Sequence, residues 1–413
     1  MKRDHGISDR ISNLTMVMTV LAVIAVATIA CGSADAPTAV PQATATQAPA
    51  DTPVAQTPEE PTAVAAPTAA PTPAPTDGPQ VSAPVPTEAP LATSTPEPTA
   101  TPEPYPSVPG IVNPSNTGWP REVETLEGRV TLEVPPKRIL TYSLGHDEML
   151  IALVPPDRVA ALGKFASNAA YSNVADIAPE YPVFEKGAEN VLAAEPDLFI
   201  VSAFTDADIV DLVKDAGVTV VRPALESSAE GNIPNIMLMG YILGVEDRAL
   251  ELAAEIEDRL ALIDERVPPP GDESRPAVIS ISRWSDSISV AGEGTTGSGI
   301  IESAGGVNAA ARDGIDGFQK ISTESIAAMN PDFIIIPQGG EAGGDQLRDD
   351  LLNDPVLASV PAIANSQIHL VDAPKHITLS HWNVRGIEST AQILFPDRFA
   401  DVTFDDFEPY RGE

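Results

Sequence analysis

Apolar residues recur in two patterns along this chain, as short buried runs and as helical spacings of three or four, and one combination of the two occurs twice. Residues 189–201 read ENVLAAEPDLFIV and residues 324–336 read ESIAAMNPDFIII. Each has a glutamate, six residues, Pro-Asp and then four apolar residues, with five of thirteen positions identical. The spacing predicts a short helix opened by Glu, broken before the proline and followed by a buried strand. Two such units, each set late in a run of alternating strands and helices, predict two similar α/β lobes.

Around the first unit, residues 121–134 predict a β-hairpin turning at Glu127-Gly128, followed by a Pro-Pro break and a buried strand at 138–142. Ser-Leu-Gly-His-Asp-Glu then leads into an apolar helix at 149–154. Further strands are expected at 158–162, 197–201 and 218–221, with a helix at 206–216 closed by Gly217. Strands separated by helices imply a parallel sheet with both faces covered. In residues 247–267, Leu252, Ile256, Leu260, Ile263 and Val267 recur at helical spacing until Pro268 to Pro270 stop them. That helix, ~30 Å long, reads as a rigid strut between lobes. Beyond it the alternation resumes. Strands are expected at 277–282, 288–291, 333–336 and 368–371, and helices up to Ala304, at 346–352 and at 384–394.

The N-terminal quarter breaks this pattern. Lys2, Arg3 and Arg10 precede seventeen uncharged residues, 14–30, as in an export signal. The only cysteine, Cys31, follows in TIAC-GS, which resembles the lipobox of bacterial lipoproteins with Thr28 where Leu is usual. An uncleaved anchor helix, or a secretory signal with an incidental cysteine, are the alternatives. Residues 33–106 hold nineteen of the 42 prolines, eight acids and no basic residue. Such a stretch cannot build a core and is expected to be a disordered Pro/Thr/Ala tether, reaching roughly 50 Å as a coil and about 230 Å as polyproline II. The expected organisation is therefore a signal peptide (1–30), a lipid-anchored tether (31–106), an α/β lobe (107–245), an interlobe helix (246–270) and a second α/β lobe (271–413). The formal charge is −35, and residues 107–413 alone carry 49 acids against 21 Lys plus Arg. Such a field disfavours nucleic acid and anionic lipid headgroups as partners and suits a soluble monomer.

From about residue 121 to 409 the chain resembles the periplasmic-binding family that captures iron chelates, haem or cobalamin for ABC importers. The marks run in order: the hairpin before PPKRIL, the Glu-x6-Pro-Asp unit, Asp215-Ala-Gly-Val-Thr-Val-Val, the strut, Ser303-Ala-Gly-Gly-Val-Asn, Ile321-Ser-Thr-Glu with its Asn-Pro-Asp, and Leu394-Phe-Pro-Asp-Arg-Phe. The resemblance implies the class III architecture, with two α/β lobes joined by one long helix, ligand between them and little hinge closure. It also implies that Glu189 and Glu324, one per lobe, meet arginines of the permease. The plain alternative is that Glu is favoured in a helix's first turn by the backbone dipole. The family often has Thr-Glu after the first strand, whereas His146-Asp147-Glu148 stands here.

Ligands of α/β lobes bind at the carboxyl ends of strands. That rule points to Ser143, His146, Phe165, Tyr171, Phe204, Arg283, Trp284, Gln338 and the loop from Lys375 through His381 and Trp382. Aromatics with an arginine suit a large planar or anionic chelate. A tryptophan ending a strand is also often core, and His369, inside a strand, reads as structural. GEGTTG (292–297) resembles a dinucleotide loop, but Gly305-Gly306 ends its helix too early. No G-x-S-x-G elbow occurs, and His146-Asp147-Glu148 is too tightly spaced to converge on one metal. The expectation is a non-enzymatic, extracytoplasmic lipoprotein with no cofactor of its own. Its ligand would be a ferric siderophore, alternatively haem or a corrinoid, and its partners the permease and, through lipid on Cys31, the membrane. A stalk-borne hydrolase and a sensing or adhesive domain are the other readings.

Overall fold

The computed structural model describes residues 104–339 and 342–412, so the leader, Cys31 and the tether up to residue 103 lie outside the described residues, as does the Trp284 side chain. Tyr105, counted in the tether by composition, is buried. Its ring stacks on Tyr241 at 6.2 Å and its hydroxyl donates to the Met237 carbonyl at 2.9 Å. An aromatic side chain with a slot to fill ends the proline-rich stretch earlier than proline counting does.

The hairpin forms as β1 (Arg121–Thr125) and β2 (Gly128–Leu132). Its two turn residues are Leu126 and Glu127, one residue earlier than expected, because Gly128 at φ 85° opens the returning strand. A five-stranded sheet follows: β3 (Ile139–Thr141), β4 (Val159–Gly163), β5 (Val183–Phe184), β6 (Leu198–Ile200) and β7 (Thr219–Val221). The order is β5-β4-β3-β6-β7 and every pairing is parallel. Helices α1 (Leu144–Leu153), α2 (Ala188–Ala193) and α3 (Ala207–Asp215) connect the strands. α1 begins five residues before the expected apolar run, so the polar triplet from His146 to Glu148 lies inside it. Every residue from Gly145 to Leu153 is buried, which is why no amphipathic stripe marked its start.

Two helices in succession carry the chain between lobes. α4 (Ala229–Leu243) ends at Gly244, in the left-handed region at φ 69°, and α5 (Glu246–Asp264) is the expected strut. A Cβ at Gly240 would lie 2.2 Å from that of Ala249, so only glycine lets α4 approach α5 this closely. α5 packs against α1 and against α6 (Thr296–Ser303) and α12 (Asn383–Leu394) of the second lobe.

The second lobe comprises β8 (Ala277–Trp284), β9 (Ser287–Ala291), α6 (Thr296–Ser303), β10 (Val307–Asn308), α7 (Ala309–Arg312), β11 (Phe318–Ile321), α8 (Thr323–Met329), β12 (Phe333–Ile336), α9 (Gly344–Asn353), α10 (Pro361–Ala364), β13 (Ile368–Leu370), α11 (Ala373–Ile377) and α12 (Asn383–Leu394). Its sheet is mixed. β12 lies parallel to β8 and β13, and β10 to β8, whereas β8-β9 and β9-β11 are antiparallel. β8 runs two residues past its expected end and turns at Ser285-Asp286, with Ser285 at φ 54°, into a hairpin. One hydrophobic core runs from Val123 and Leu132 through α1, α4 and α5 to Ile300 and Ile387 in α6 and α12, so the lobes share a continuous interior. The segment after α12 then recrosses α5. Phe407 lies under the Arg259 guanidinium at 4.3 Å, the Tyr410 amide donates to the Ile151 carbonyl at 3.0 Å, and Arg411 pairs with Glu180 at 2.5 Å.

Candidate functional site

Because β3 to β6 are parallel, their carboxyl ends share one edge, and the loops leaving that edge surround a cleft of about 1060 Å³. Tyr142 and Ser143 follow β3, Lys164 to Tyr171 follow β4, Glu185 and Lys186 follow β5, and Ser202 and Phe204 follow β6. The second lobe supplies Ile377, the last residue of α11, and Thr378 and Leu379 from the turn that follows it.

The rim is aromatic and aliphatic. Phe165 is 53% exposed and meets Tyr171 edge-to-face at 6.3 Å, while Phe204 is 86% exposed and Ile377 41%. Large apolar side chains left this open around a concavity forfeit their burial energy until something covers them. The Lys186 ammonium sits 5.6 Å from the Tyr142 ring centroid and 5.9 Å from that of Phe165, and makes no ion pair among the described residues. Lys164 differs, being neutralised by Glu185 at 2.6 Å. Burial raises the Tyr142 phenol above its usual range, although the Gly187 amide donates to its oxygen at 3.0 Å. Burial likewise holds the Asp147 carboxyl well above the carboxylate range, against the Thr141 hydroxyl and the Gly163 amide that donate to it.

Of the residues singled out in the sequence, Ser143, Phe165, Tyr171 and Phe204 come together here. Of the loop from Lys375 to Trp382, Ile377 to Leu379 line the cleft and Lys375, His381 and Trp382 do not, and neither do His146, Arg283 and Gln338. Arg283 pairs with Asp350 of α9 at 2.5 Å, in a separate groove with Lys320 and Thr323. Gln338 is a clip for that hairpin: its oxygen accepts the Arg283 amide at 3.0 Å and its nitrogen donates to the Arg283 and Ala342 carbonyls. Trp284 pairs with Ser287 at the hairpin end. Lys375 bonds Asp406 at 3.0 Å. His381 and Trp382 are buried against Phe407, and burial, with Arg248 and Arg259 nearby, pushes His381 down to about 3. His369 stacks on Phe333 and bonds Gln367 at 3.0 Å, as a structural residue would.

His146 decides the catalytic question. Its Nδ1 lies 2.9 Å from the hydroxyl of the cleft-lining Ser143, so a serine–histidine pair exists, with the histidine itself buried. Its Nε2, however, is buried without a partner among the described residues, and burial pushes the imidazole down to about 3. A general base is ordinarily oriented by a hydrogen-bonded acceptor and holds a pKa near the working pH; among the described residues no carboxylate orients this histidine, and its pKa lies far below.

Lys186 carried no sequence signal, whereas the turn from Ile377 to Leu379 lies within the loop from Lys375 to Trp382 that the strand-end rule singled out. Lys186 follows a strand of two residues, too short for periodicity to reveal, and the turn reaches the cleft only through packing of the second lobe on α5.

Residues 139–374 match the family described as periplasmic binding protein. The chain is 26% identical over 277 residues to YvrC of Bacillus subtilis (strain 168), an uncharacterized ABC transporter substrate-binding lipoprotein, covering 66% of this chain and 84% of that one. It is 26% identical over 284 residues to the ferric enterobactin-binding periplasmic protein FepB of Escherichia coli O6:H1, covering 63% and 86%. Among solved structures it is similar to the periplasmic heme-binding protein RhuT from Roseiflexus sp. RS-1 in apo form, with a TM-score of 0.55 and 23% identity over 63% of this chain and 99% of that one.

Proposed function

The chain belongs to the periplasmic binding protein family, whose members are non-enzymatic, extracytoplasmic solute-binding components of ABC importers, and from that premise we propose that it captures a coordinatively complete metal chelate in the cleft and delivers it to a permease. Family membership favours this reading over a stalk-borne hydrolase. One observation carries the ligand class. The cleft presents Phe165, Tyr171, Phe204 and Ile377 around the Lys186 ammonium, while His146 and His381 are turned into the protein interior. Stacking surface and one cation suit a chelate that brings its own coordination sphere and carries negative charge. A ferric siderophore, the cargo class in FepB's name, meets that description, with haem, the cargo in RhuT's name, or a corrinoid as alternatives.

Delivery rests on Glu189 and Glu324. Both are exposed, each in the first turn of its short helix, one per lobe. Cys31, read as the lipidated residue, would hold the receptor at the membrane, and the relative YvrC is named a lipoprotein. The test is the absorption spectrum of protein purified from its native host, followed by fluorescence titration of the full chain with ferric enterobactin, haemin and cyanocobalamin. A ferric-siderophore band, or tightest binding of ferric enterobactin, supports the reading. Binding of bare ferric ion alone, or of none of the three, overturns it.

A further inference from the structure

We infer that Glu148, on the first lobe's α1, is a positioning residue that holds the second lobe's wall of the cleft in place. This rests on the reading of the cleft as the ligand site. Glu148 is fully buried, and its two oxygens divide their bonds between the lobes. Oε1 accepts from the Asn173 backbone amide at 2.9 Å and the Asn173 side-chain amide at 3.0 Å, both in the first lobe. Oε2 accepts from the Thr378 hydroxyl at 2.6 Å and from the Ser380 hydroxyl, both in the second. The second hydrogen of the Asn173 amide reaches the Pro374 carbonyl of α11 at 3.1 Å. Asn173 thereby braces the carboxylate and independently ties α11, which leads into the turn holding Thr378 and Ser380.

The turn needs such a fastener. Ile377, Thr378 and Leu379 face the cleft, while His381 and Trp382, three or four residues on, border a second hollow of about 180 Å³ behind it. Glu148 and Asn173 line that hollow too, and Phe407 closes it from the chain's last segment. Packing holds His376, His381 and Trp382 at the ends of this stretch, but Ile377 stands 41% exposed over the cleft, so packing alone does not place the residues between. Here hydrogen bonds add to it. A buried carboxylate is costly unless its lone pairs are filled, so the four donors select one position of the turn. The bonds through Ser380 continue into the site's frame, because the Ser380 hydroxyl also accepts the Trp382 amide at 3.2 Å. Glu148 touches no ligand on this account. It sets the distance between Ile377–Leu379 and the aromatic rim opposite, and with it the width of chelate that fits.

The experiment uses the purified full-length chain, wild type and with Glu148→Gln, Glu148→Ala and Ser380→Ala, the last being a buried residue outside the cleft. Hydrogen–deuterium exchange is read across residues 376–382 and compared with β3, β6 and β12, and dissociation rates are measured for ferric enterobactin, haemin and cyanocobalamin. Glu148→Ala should accelerate exchange at 376–382 by roughly tenfold or more while leaving the three strands unchanged, with Ser380→Ala intermediate. Glu148→Gln, which keeps one acceptor and faces hydroxyls able to reverse, should restore most of the protection. Any chelate that binds wild type should leave the Ala variant faster, with its association rate little changed. Exchange at 376–382 that stays at the wild-type rate in all variants, or rises only in step with the strands, overturns the positioning role. If no chelate binds wild type, the ligand reading fails while the exchange comparison still decides the fastener.

Discussion

Asp197 and Asp332 make the same bond in the two lobes. Each carboxylate accepts the backbone N–H at the start of its lobe's central strand, Arg138 before β3 at 3.0 Å and Ala277 of β8 at 2.8 Å, and each returns its own amide to that residue's carbonyl. The Pro-Asp of the repeated unit is thus a strand fastener, and the chain repeats it because both lobes need one. Asp332→Ala should cost about 1–3 kcal/mol of stability, and Asp197→Ala less, since water reaches that carboxylate. Urea midpoints measure this, and an unchanged midpoint for Asp332→Ala would remove the assignment.

The glutamates of the same units should behave differently. Both are exposed, and the Glu324 carboxyl is held below its usual range by the Ser322 hydroxyl. Reversing either to Lys should leave the urea midpoint and chelate affinity as they are, and abolish uptake by whole cells, because like charges would then meet at the permease. Loss of affinity alongside uptake would return these residues to the ligand site.

At the cleft, Phe165→Ala, Phe204→Ala and Lys186→Ala should each weaken the bound chelate by about 1–3 kcal/mol, the range for aromatic and cationic anchors that become covered. Arg283→Ala should leave affinity unchanged, since its guanidinium is spent on Asp350. Fluorescence titration of the four variants separates these outcomes, and a large effect at Arg283 with none at Phe165 or Phe204 would move the site.

Acid should unfold the protein through its buried histidines. Burial holds His146 and His381 at about 3 and His376 at about 4, against 6.5 when solvated. The unfolded chain takes up these protons first, so the stability they contribute is complete above about pH 6.5 and is lost as pH falls toward 4 and 3. Each can supply up to about 1.4 kcal/mol per pH unit. The buried carboxyls of Asp147, Glu148 and Glu388, raised by burial, oppose this, because the folded state binds their protons before the unfolded chain does. Urea titrations between pH 6.5 and 4.5 should show a shallower fall for His381→Gln than for wild type. Equal slopes would mean that this ring is already charged in the folded state.

Cys31→Ala should shift the protein from the membrane fraction to soluble or unprocessed forms, and limited proteolysis of the full chain should leave a stable fragment beginning just before Tyr105. A membrane fraction unaffected by the substitution would mean that residues 14–30 remain as the anchor.

What the sequence determined by itself is the part governed by local chemistry. Apolar spacing gave the strut from Glu246 to Asp264, the Pro-Asp repeat gave two lobes, and strand ends gave the side of the sheet on which Phe165, Tyr171 and Phe204 meet. Each of these follows from the few residues around it. Tertiary structure decided where charge and polarity face. Arg283 looked free for a ligand until Asp350, 67 residues away, claimed it, and His146 looked accessible until α1 was buried on every side. Glu148 read as one acid in a polar triplet, yet it meets Thr378 across 230 residues of chain. Ion pairs and buried hydrogen bonds form between whatever groups packing brings together, and that partner is written nowhere near the residue that needs it.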